Sequence, residues 1–536
     1  MSTPFSKKSQ TFLILRFSGI FSATFGNAKS MIFQGFFKHF RRVPYHPRDF
    51  QKYASPISSA ALEAIFSLCE DYECRPVTVG GSGVKCFICF LDGVVSGGDV
   101  SEDVIRPLTD PERDLGLSTE SECIDLIIHG AVYSGSVKEP KNLDELVQNI
   151  VNGYCAIVFD GAHRAVAFET RTELQRGIEQ PSTEKSVKGA KDAFIETLRT
   201  NTMLVRKKLR DPALKMRQTV VGRKSRTNVA VMYCEGIADP ERVSELMRRL
   251  DAIDIDGLIT TGSLEEYIVD CRRSPFPQLL MTERPDRFAM NLLEGRIGIL
   301  VDGLPLGFLL PATLSQLMKV PDDNAQHYLI ASFLTALRYF SLLIAVMLPG
   351  LLIAIAMYHQ EMLPIKLLLS MIEAKQQVPF GAAIEVLGML LSFELLQEAG
   401  LRLPESIGQT VSIIGALIVG QSAVEAKVVG PVAVIIVALA GICGYTIPNQ
   451  DLGAAVRICR FLIALAAIIG GMYGLMAGLA MIVYHLATVE SFGVDYLSPL
   501  SDRGLYRALQ SLLRVPLEKN KLRDPALNTP DKRSQK

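Results

Sequence analysis

Four signatures of familiar chemistry are missing from this chain. There is no G-x-x-x-x-G-K-[ST], no G-x-G-x-x-G, no H-E-x-x-H and no G-x-S-x-G, so neither a nucleotide-phosphate loop, a zinc-protease helix nor a hydrolase elbow is signalled. No cofactor is therefore expected. Net charge is missing too: 56 Lys and Arg balance 56 Asp and Glu, and no long basic run interleaves with aromatics, which excludes a nucleic-acid surface. A clean leader is lacking, because Arg16 splits the apolar run that follows Lys7 and Lys8 and no small-residue cleavage site comes after it. The ten cysteines show no extracellular spacing, so the soluble part is expected in a reducing cytosol without disulfides. Cys86 and Cys89 form a C-x-x-C, with Cys69 and Cys74 nearby. Residues three apart on a strand point to opposite faces, which argues for small buried hydrophobes over a metal site.

What the chain does have is apolar length, concentrated from Phe333 to Leu486. Tyr339 to Tyr358 is a run of 20 uncharged residues, and at about 1.5 Å of rise per residue it matches a hydrocarbon core of ~30 Å. Val428 to Pro448 and Phe461 to Leu486 are long enough to cross as well. Val378 to Leu396 carries Glu385 and Glu394, and Ile407 to Val424 is interrupted by Gln409 and Gln421, so either is a candidate broken or re-entrant segment. After Leu486 come nine Lys and Arg, from Arg503 to Lys536, and the positive-inside rule keeps that tail in the cytosol. With the preceding region also cytosolic, crossings are even, so four of the five segments would span.

Ahead of the membrane region, helix and strand patterns alternate. SSAALEAIFSLCED reads as a capped helix leading to the strand VKCFICFL. YCAIVFD and RAVAFETR read as a hairpin. A helix-like run through residues 187–214 carries Arg199, Arg206, Lys207 and Lys208, read as a solvated basic face on a linker. NVAVMYCEG reads as a strand before a helix capped by Asp239 with Pro240 at its first position. IDIDGLI reads as a returning strand, Ser263 and Glu266 as a capping box, and IGILVDG as a closing strand. Such alternation favours a βαβ-type sheet. In Thr282-Glu283-Arg284-Pro285-Asp286 the plainer reading is a turn whose Arg pairs with the acids while Asp286 caps the next helix; an anion or catalytic site is the rival.

The fold class expected is thus an α/β cytosolic region of two subdomains followed by an all-α multispanning membrane domain. Its expected parts are an N-terminal extension (1–54), a first α/β subdomain (55–190), a linker helix region (191–222) and a second α/β subdomain (223–330). A membrane domain of four or five helical segments (331–488) and a basic cytosolic tail (489–536) follow. Residues 56–321 are expected to fold without the membrane.

Two constellations inside the membrane region stand out. A carboxylate at the bilayer centre costs about 2.5–3.5 kcal/mol on insertion scales, so Glu385, Glu394 and Glu425 are expected to face protein or water. Gln421 lies four residues before Glu425, which puts both on one helix face. Repeated around an oligomer, Glu385, Gln421 and Glu425 form the candidate cation path. The competing reading pairs Glu425 with Lys427. Gly470, Gly474 and Gly478 recur every four residues, the pattern of a close helix–helix contact, with simple tolerance of Gly as the plainer account.

Several blocks carry a resemblance. They are Q-P-S-T-E at 180–184, F-I-E-T-L-R-T-N at 194–201, P-F-P-Q-x-x-x-T-E-R-P-D at 275–286, E-G-R-I-G-I-L-V-D-G-L-P at 294–305 and R-L-P-E-S-I-G-Q at 402–409. In this order they resemble the A subunit of GerA-type spore germination receptors. The family-motif positions are Gln180, Pro181, Glu184, Arg199, Asn201, Thr282, Glu283, Arg284, Pro285, Asp286, Glu294, Gly295 and Arg296. The chain departs from the family at Ala190 and Ala193, and has PDDNAQHY (321–328) where an acid-Tyr-Tyr element is expected before the first span.

The resemblance implies a nutrient germinant receptor, without catalysis, in the spore inner membrane. It implies partnership with B and C subunits, a homo-oligomer of A subunits in the lipid bilayer, and passage of monovalent cations as germination begins. The similar accessory protein of the dipicolinic-acid release system is the main alternative, and a membrane-anchored enzyme a remote one; neighbouring genes for B and C subunits separate the first two.

Overall fold

A computed structural model describes residues 52–80, 83–110, 119–132, 136–172, 181, 184, 188–376, 378–402, 420–501 and 513–535. Met1–Tyr53 is a unit apart from Ala54–Lys536; only its last two residues are described.

Helix α1 (Ser59–Ile65) starts where expected: the Ser58 side chain accepts from the Ala61 N–H. Strands β1 (Tyr72–Thr78), β2 (Lys85–Leu91), β3 (Val137–Lys138), β4 (Tyr154–Phe159) and β5 (Arg164–Glu169) form a sheet in the order β1-β2-β4-β5-β3. Helix α2 (Leu143–Val151), capped by Asn142, separates β3 from β4 and packs on β4. The other face buries Cys86, Ile88, Phe90, Ile157 and Phe168 against Val100, Val104 and Ile124 from helical segments between β2 and β3. The period-2 alternation of VKCFICFL is what aims Cys86 and Ile88 at that layer.

Helix α3 (Leu198–Lys208) opens a second unit, with β6 (Leu214–Val221), β7 (Thr227–Cys234), α4 (Pro240–Asp251) and α5 (Thr261–Ile268). It continues with β8 (Leu280–Thr282), α6 (Pro285–Glu294), β9 (Ile297–Val301) and β10 (Gly307–Leu310). Its sheet order is β6-β7-β9-β10-β8, the same permutation as in the first unit. Val229, Val231, Ile299 and Val301 pack with Leu246 and Leu250 of α4 and Leu264 and Ile268 of α5. On the opposite face Ala230, Met232 and Leu300 meet Leu204 of α3 and Phe288 and Leu292 of α6.

Four expectations change here. Every ladder pair is antiparallel, not βαβ: helices joining strands do not force parallel pairing when the chain returns to the far edge of the sheet. The 191–222 region is no linker, since α3 is buried against the sheet and β6 is an edge strand of it. IDIDGLI forms no strand, its two acids and Gly257 having no strand neighbour to pair with. Helix α5 starts at Thr261 with Thr260 as N-cap, so Ser263 lies inside the helix, its Oγ 2.8 Å from Thr260 Oγ1. The Asp239 cap with Pro240 at the first position is found as read, Asp239 accepting from the Glu241 N–H.

The longer helices that follow are α7 (Tyr328–Tyr358), α8 (Ile365–Lys375), α9 (Ala382–Arg402), α10 (Pro431–Tyr445) and α11 (Gln450–Thr488). α7 and α11 are long and apolar enough to cross a membrane. α11 is not one rod. At Gly471 the backbone turns to φ 56°, ψ −132°, a conformation that favours glycine, and the chain folds back. A Cβ on Gly474 would lie 2.0 Å from the Ala466 carbonyl oxygen, and one on Gly478 3.3 Å from Ala466 Cβ. In a straight helix residues eight apart are separated by about 12 Å. Phe461 to Leu486, read as one span, is therefore the bend of a hairpin whose limbs are 450–470 and 472–488. Both ends return to the second α/β unit: the charge of Asp451 acts on Glu265 of α5, and His485 Nε2 is 2.9 Å from Ser274 Oγ. The turn lies beside the end of α7, where Tyr358 Oη donates to the Ile468 carbonyl at 2.6 Å.

The tail packs back on the second unit. Strands β11 (Glu490–Ser491) and β12 (Val494–Asp495) form a small hairpin. Ser491 Oγ accepts from Ala312 N–H, and the Leu314 N–H donates to Tyr496 O. Leu527 is fully buried, its carbonyl accepting from Arg242. A 56–321 fragment thus lacks part of the second unit's surface cover.

Candidate functional site: a charged junction and the membrane-region carboxylates

The TERPD turn is where the second sheet hands over to α6, and Pro285 sits at the first helical position because its missing N–H costs nothing there. Arg284 is 2% exposed and donates to both carboxylate oxygens of Asp286, at 3.0 and 2.7 Å. A third donation reaches Asp322 at 3.4 Å, on the segment leading into α7. Burial works against the Arg284 charge, but Asp286 and Asp322 outweigh it and hold its pKa above the ordinary value. The pairing of Arg284 with an acid was legible. Asp286 is no cap, since the N-cap is Arg284; it serves as the counter-ion.

Around this pair the motif residues assemble. Thr282 Oγ1 donates to Glu184 Oε2 at 2.5 Å and accepts from the Arg284 N–H. Glu184 also pairs with Arg287, whose Nη2 donates to the Lys319 carbonyl. The Glu283 carbonyl accepts from the Phe194 N–H at 2.8 Å. Next to it, Arg338 of α7 makes a two-pronged bond to Asp323, at 2.6 and 2.8 Å. Arg514 from the tail donates to the Gln326 and Asn324 carbonyls. The PDDNAQHY element that departs from the family's pattern thus supplies two acids of the junction, Asp322 and Asp323. Arg287 and Arg338 were not foreseen; an Arg one residue before an uncharged run of 20 was the available signal for Arg338.

The other motif residues play separate parts. Pro181 is buried, and Gln180 lies outside the described residues. Asn201, fully buried, closes a turn by accepting from Ile195 N–H and donating to Ile195 O. Arg199 reaches into the first unit to pair with Asp92 at 2.5 Å. Arg206 is 1% exposed and forks onto Asp71, so of the basic face read as solvated, Arg199 and Arg206 tie the two units together while Lys207 and Lys208 are exposed. Gly295 ends α6 at φ 103° with Thr529 of the tail against it. Arg296 is buried and donates to the Pro311 carbonyl, with Glu294 3.7 Å away; burial pulls its pKa down.

The membrane-region residues do not act as one set. Gln421 and Glu425 share a face as their spacing required, with Gln421 Nε2 donating to Glu425 Oε1 at 2.8 Å, both exposed. Glu425 is held by Gln421 and not by Lys427. Glu385 is 5% exposed and accepts from the Gly430 N–H at the start of α10. It sits within the helix bundle of a single chain, which separates it from an exposed ring. Glu394 pairs with Arg460 and Arg457 of α11, both outside the uncharged windows and so missed. The segment Ile407 to Val424 lies mostly outside the described residues. Gly470 has nothing near its Cβ position, while Gly474 and Gly478 contact their own chain, so the glycine stripe closes a hairpin and is not a free face.

Among the described residues no cluster of His, Cys, Asp and Glu gathers for a metal. The C-x-x-C is split across the sheet as read: Cys86 is in one core while Cys89 faces Cys74 on β1, sulfurs 2.9 Å apart.

The sequence matches the family described as Bacillus/Clostridium GerA spore germination protein over residues 60–526. It is 38% identical to the uncharacterized membrane protein YfkQ of Bacillus subtilis (strain 168), covering 78% of this chain and 81% of that protein. It is 35% identical to spore germination protein KA of the same strain, covering 85% and 84%. The crystal structure of the N-terminal domain of the A subunit of the Bacillus megaterium spore germinant receptor GerK3 aligns at 28% identity with a TM-score of 0.40. It covers 49% of this chain and 99% of that one.

Proposed function

Because the chain belongs to the GerA family of spore germination proteins, we propose that it is the A subunit of a nutrient germinant receptor, acting with B and C subunits in the spore inner membrane. The observation that carries this reading is the extent of the family match, which runs through both α/β units, the helices and most of the tail. The receptor subunits of this family are not enzymes.

In the proposed mechanism A subunits form a homo-oligomer that passes monovalent cations. The exposed Gln421–Glu425 pair supports this, since repetition around a symmetric axis makes a ring of acceptors. Glu394 is neutralised by two arginines and adds no free charge. The junction of Arg284, Asp322, Asp323 and Arg338 is the proposed link by which the cytosolic units bias the helices, because it joins the second sheet to α7 directly.

The test is deletion of the gene in a spore former that carries it. Loss of the response to one nutrient class, restored by the native gene, is the expected result; uniform slowing with every nutrient would instead assign it to dipicolinic-acid release. Glu425→Gln spores are expected to release monovalent cations more slowly at equal protein level. Unchanged rate and selectivity would remove Glu425 from the path.

A further inference from the structure

A cleft opens between the end of α7, helix α8 and the starts of α9 and α10, with a cavity volume of about 80 Å³. That exceeds the ~10–15 Å³ a single water needs. Its wall is mostly apolar, including Leu352, Leu368, Met371 and Val386. Three polar side chains line it: Gln360, Lys375 and Glu385. Gln360 Nε2 is engaged by the Ala356 carbonyl.

Glu385 is the unusual member. It lies in the first turn of α9 and faces the first turn of α10, so two helix N-termini favour its negative charge. One oxygen, Oε2, accepts from Gly430 N–H at 3.1 Å. The other, Oε1, is buried and has no hydrogen-bond partner among the described residues. Leaving a buried carboxylate oxygen without a donor costs more than leaving a neutral acceptor so. No ion pair joins it to Lys375. α8 forms one wall of the cleft and leaves Ile365, Leu367 and Leu369 exposed on its other side.

We propose that this cleft binds a primary ammonium group carried on a short alkyl body, the ammonium donating to Glu385 Oε1 and the alkyl chain lying on the apolar wall. A bare metal cation asks for a shell of several oxygens, which one free carboxylate oxygen does not supply. A mostly apolar pocket with a few placed polar groups is the usual form of a small-molecule site. The site is separate from the proposed ion path, because Glu385 is enclosed by helices of one chain while Gln421 and Glu425 are exposed.

The experiment uses the full chain in phosphatidylcholine nanodiscs and a diazirine-bearing hexylamine, with labelled peptides mapped by mass spectrometry. Labelling is expected in 365–375 and 382–386. Hexylamine should displace the label at a concentration at least about tenfold below that of 1-hexanol, the scale of one charge-assisted hydrogen bond. Glu385→Gln should erase that difference. Lys375→Gln should strengthen amine binding by removing a like charge; weakening would instead show that Lys375 holds a ligand carboxylate and would overturn the assignment. Equal potency of hexanol and hexylamine, or a preference retained in Glu385→Gln, would overturn it as well. If Glu385→Gln fails to fold, Ala374→Phe fills the cleft from α8 and leaves the carboxylate intact. Loss of labelling then supports the site and retained labelling refutes it. Either result leaves the deletion test of the receptor reading untouched.

Discussion

The two α/β units share one strand permutation, and at the same topological place each has a short edge strand, a Glu, a nearby Pro and a helix. In the first unit this is Val137 to Asn142, and its Glu139 meets Arg164 at the surface, both more than a third exposed. In the second it is Leu280 to Asp286, and Arg284 is buried with Asp286 and then Asp322. The same fold thus makes a solvated pair in one copy and a junction in the other. What differs is what covers the turn: in the second unit Asp322, on the segment leading into α7, closes over it. Burial, and not topology, turns a charged loop into a coupling element.

The largest expected effect comes from removing what the second unit rests on. Gly474→Leu places a side chain into the Ala466 backbone, so the α11 hairpin cannot close and the protein is expected to be lost to proteolysis. Gly470→Ala, with open space at its Cβ, should accumulate normally. Equal abundance of the two variants on immunoblots would break the hairpin assignment.

Next is Arg284→Ala, which strands Asp286 and Asp322. Loss of one partner of a buried pair costs about 3–5 kcal/mol, read as a lower unfolding midpoint in denaturant. The matching change in the first unit, Glu139→Ala, breaks an exposed pair and should cost less than about 1 kcal/mol. Comparable losses at the two positions would erase the contrast drawn between the units.

A smaller effect is a change with pH at the seam between α5 and α11. Burial, followed by the charges of Asp451 and Glu266, pushes Glu265 up from 4.5 to about 7. The folded protein therefore binds this proton more tightly than the unfolded chain does. Its favourable contribution is complete below pH 4.5 and is lost as pH rises through about 7. Glu265→Gln should flatten stability across that window; an unchanged slope would mean that the seam does not sense its charge.

Much of this was legible from local pattern. Ser58 and Asp239 as caps, the hairpin of β4 and β5, and the Gln421–Glu425 face follow from spacing alone, because each depends on residues no more than 15 apart. The antiparallel pairing was not legible, since the same helix–strand alternation serves both pairings until the edges are known. Arg206 read as solvated because its partner, Asp71, lies 135 residues away.

By itself the sequence determined where apolar length lies, where α1 and α4 start, and which family the motif blocks belong to, since these depend on composition and near neighbours. Only the tertiary structure decided that the glycine stripe folds back at Gly471, that Glu385 is enclosed while Glu425 is exposed, and that Arg284 joins Asp322. Each of those outcomes is set by which distant segment removes water from a charge or backbone, and burial of that kind has no signature in a local window.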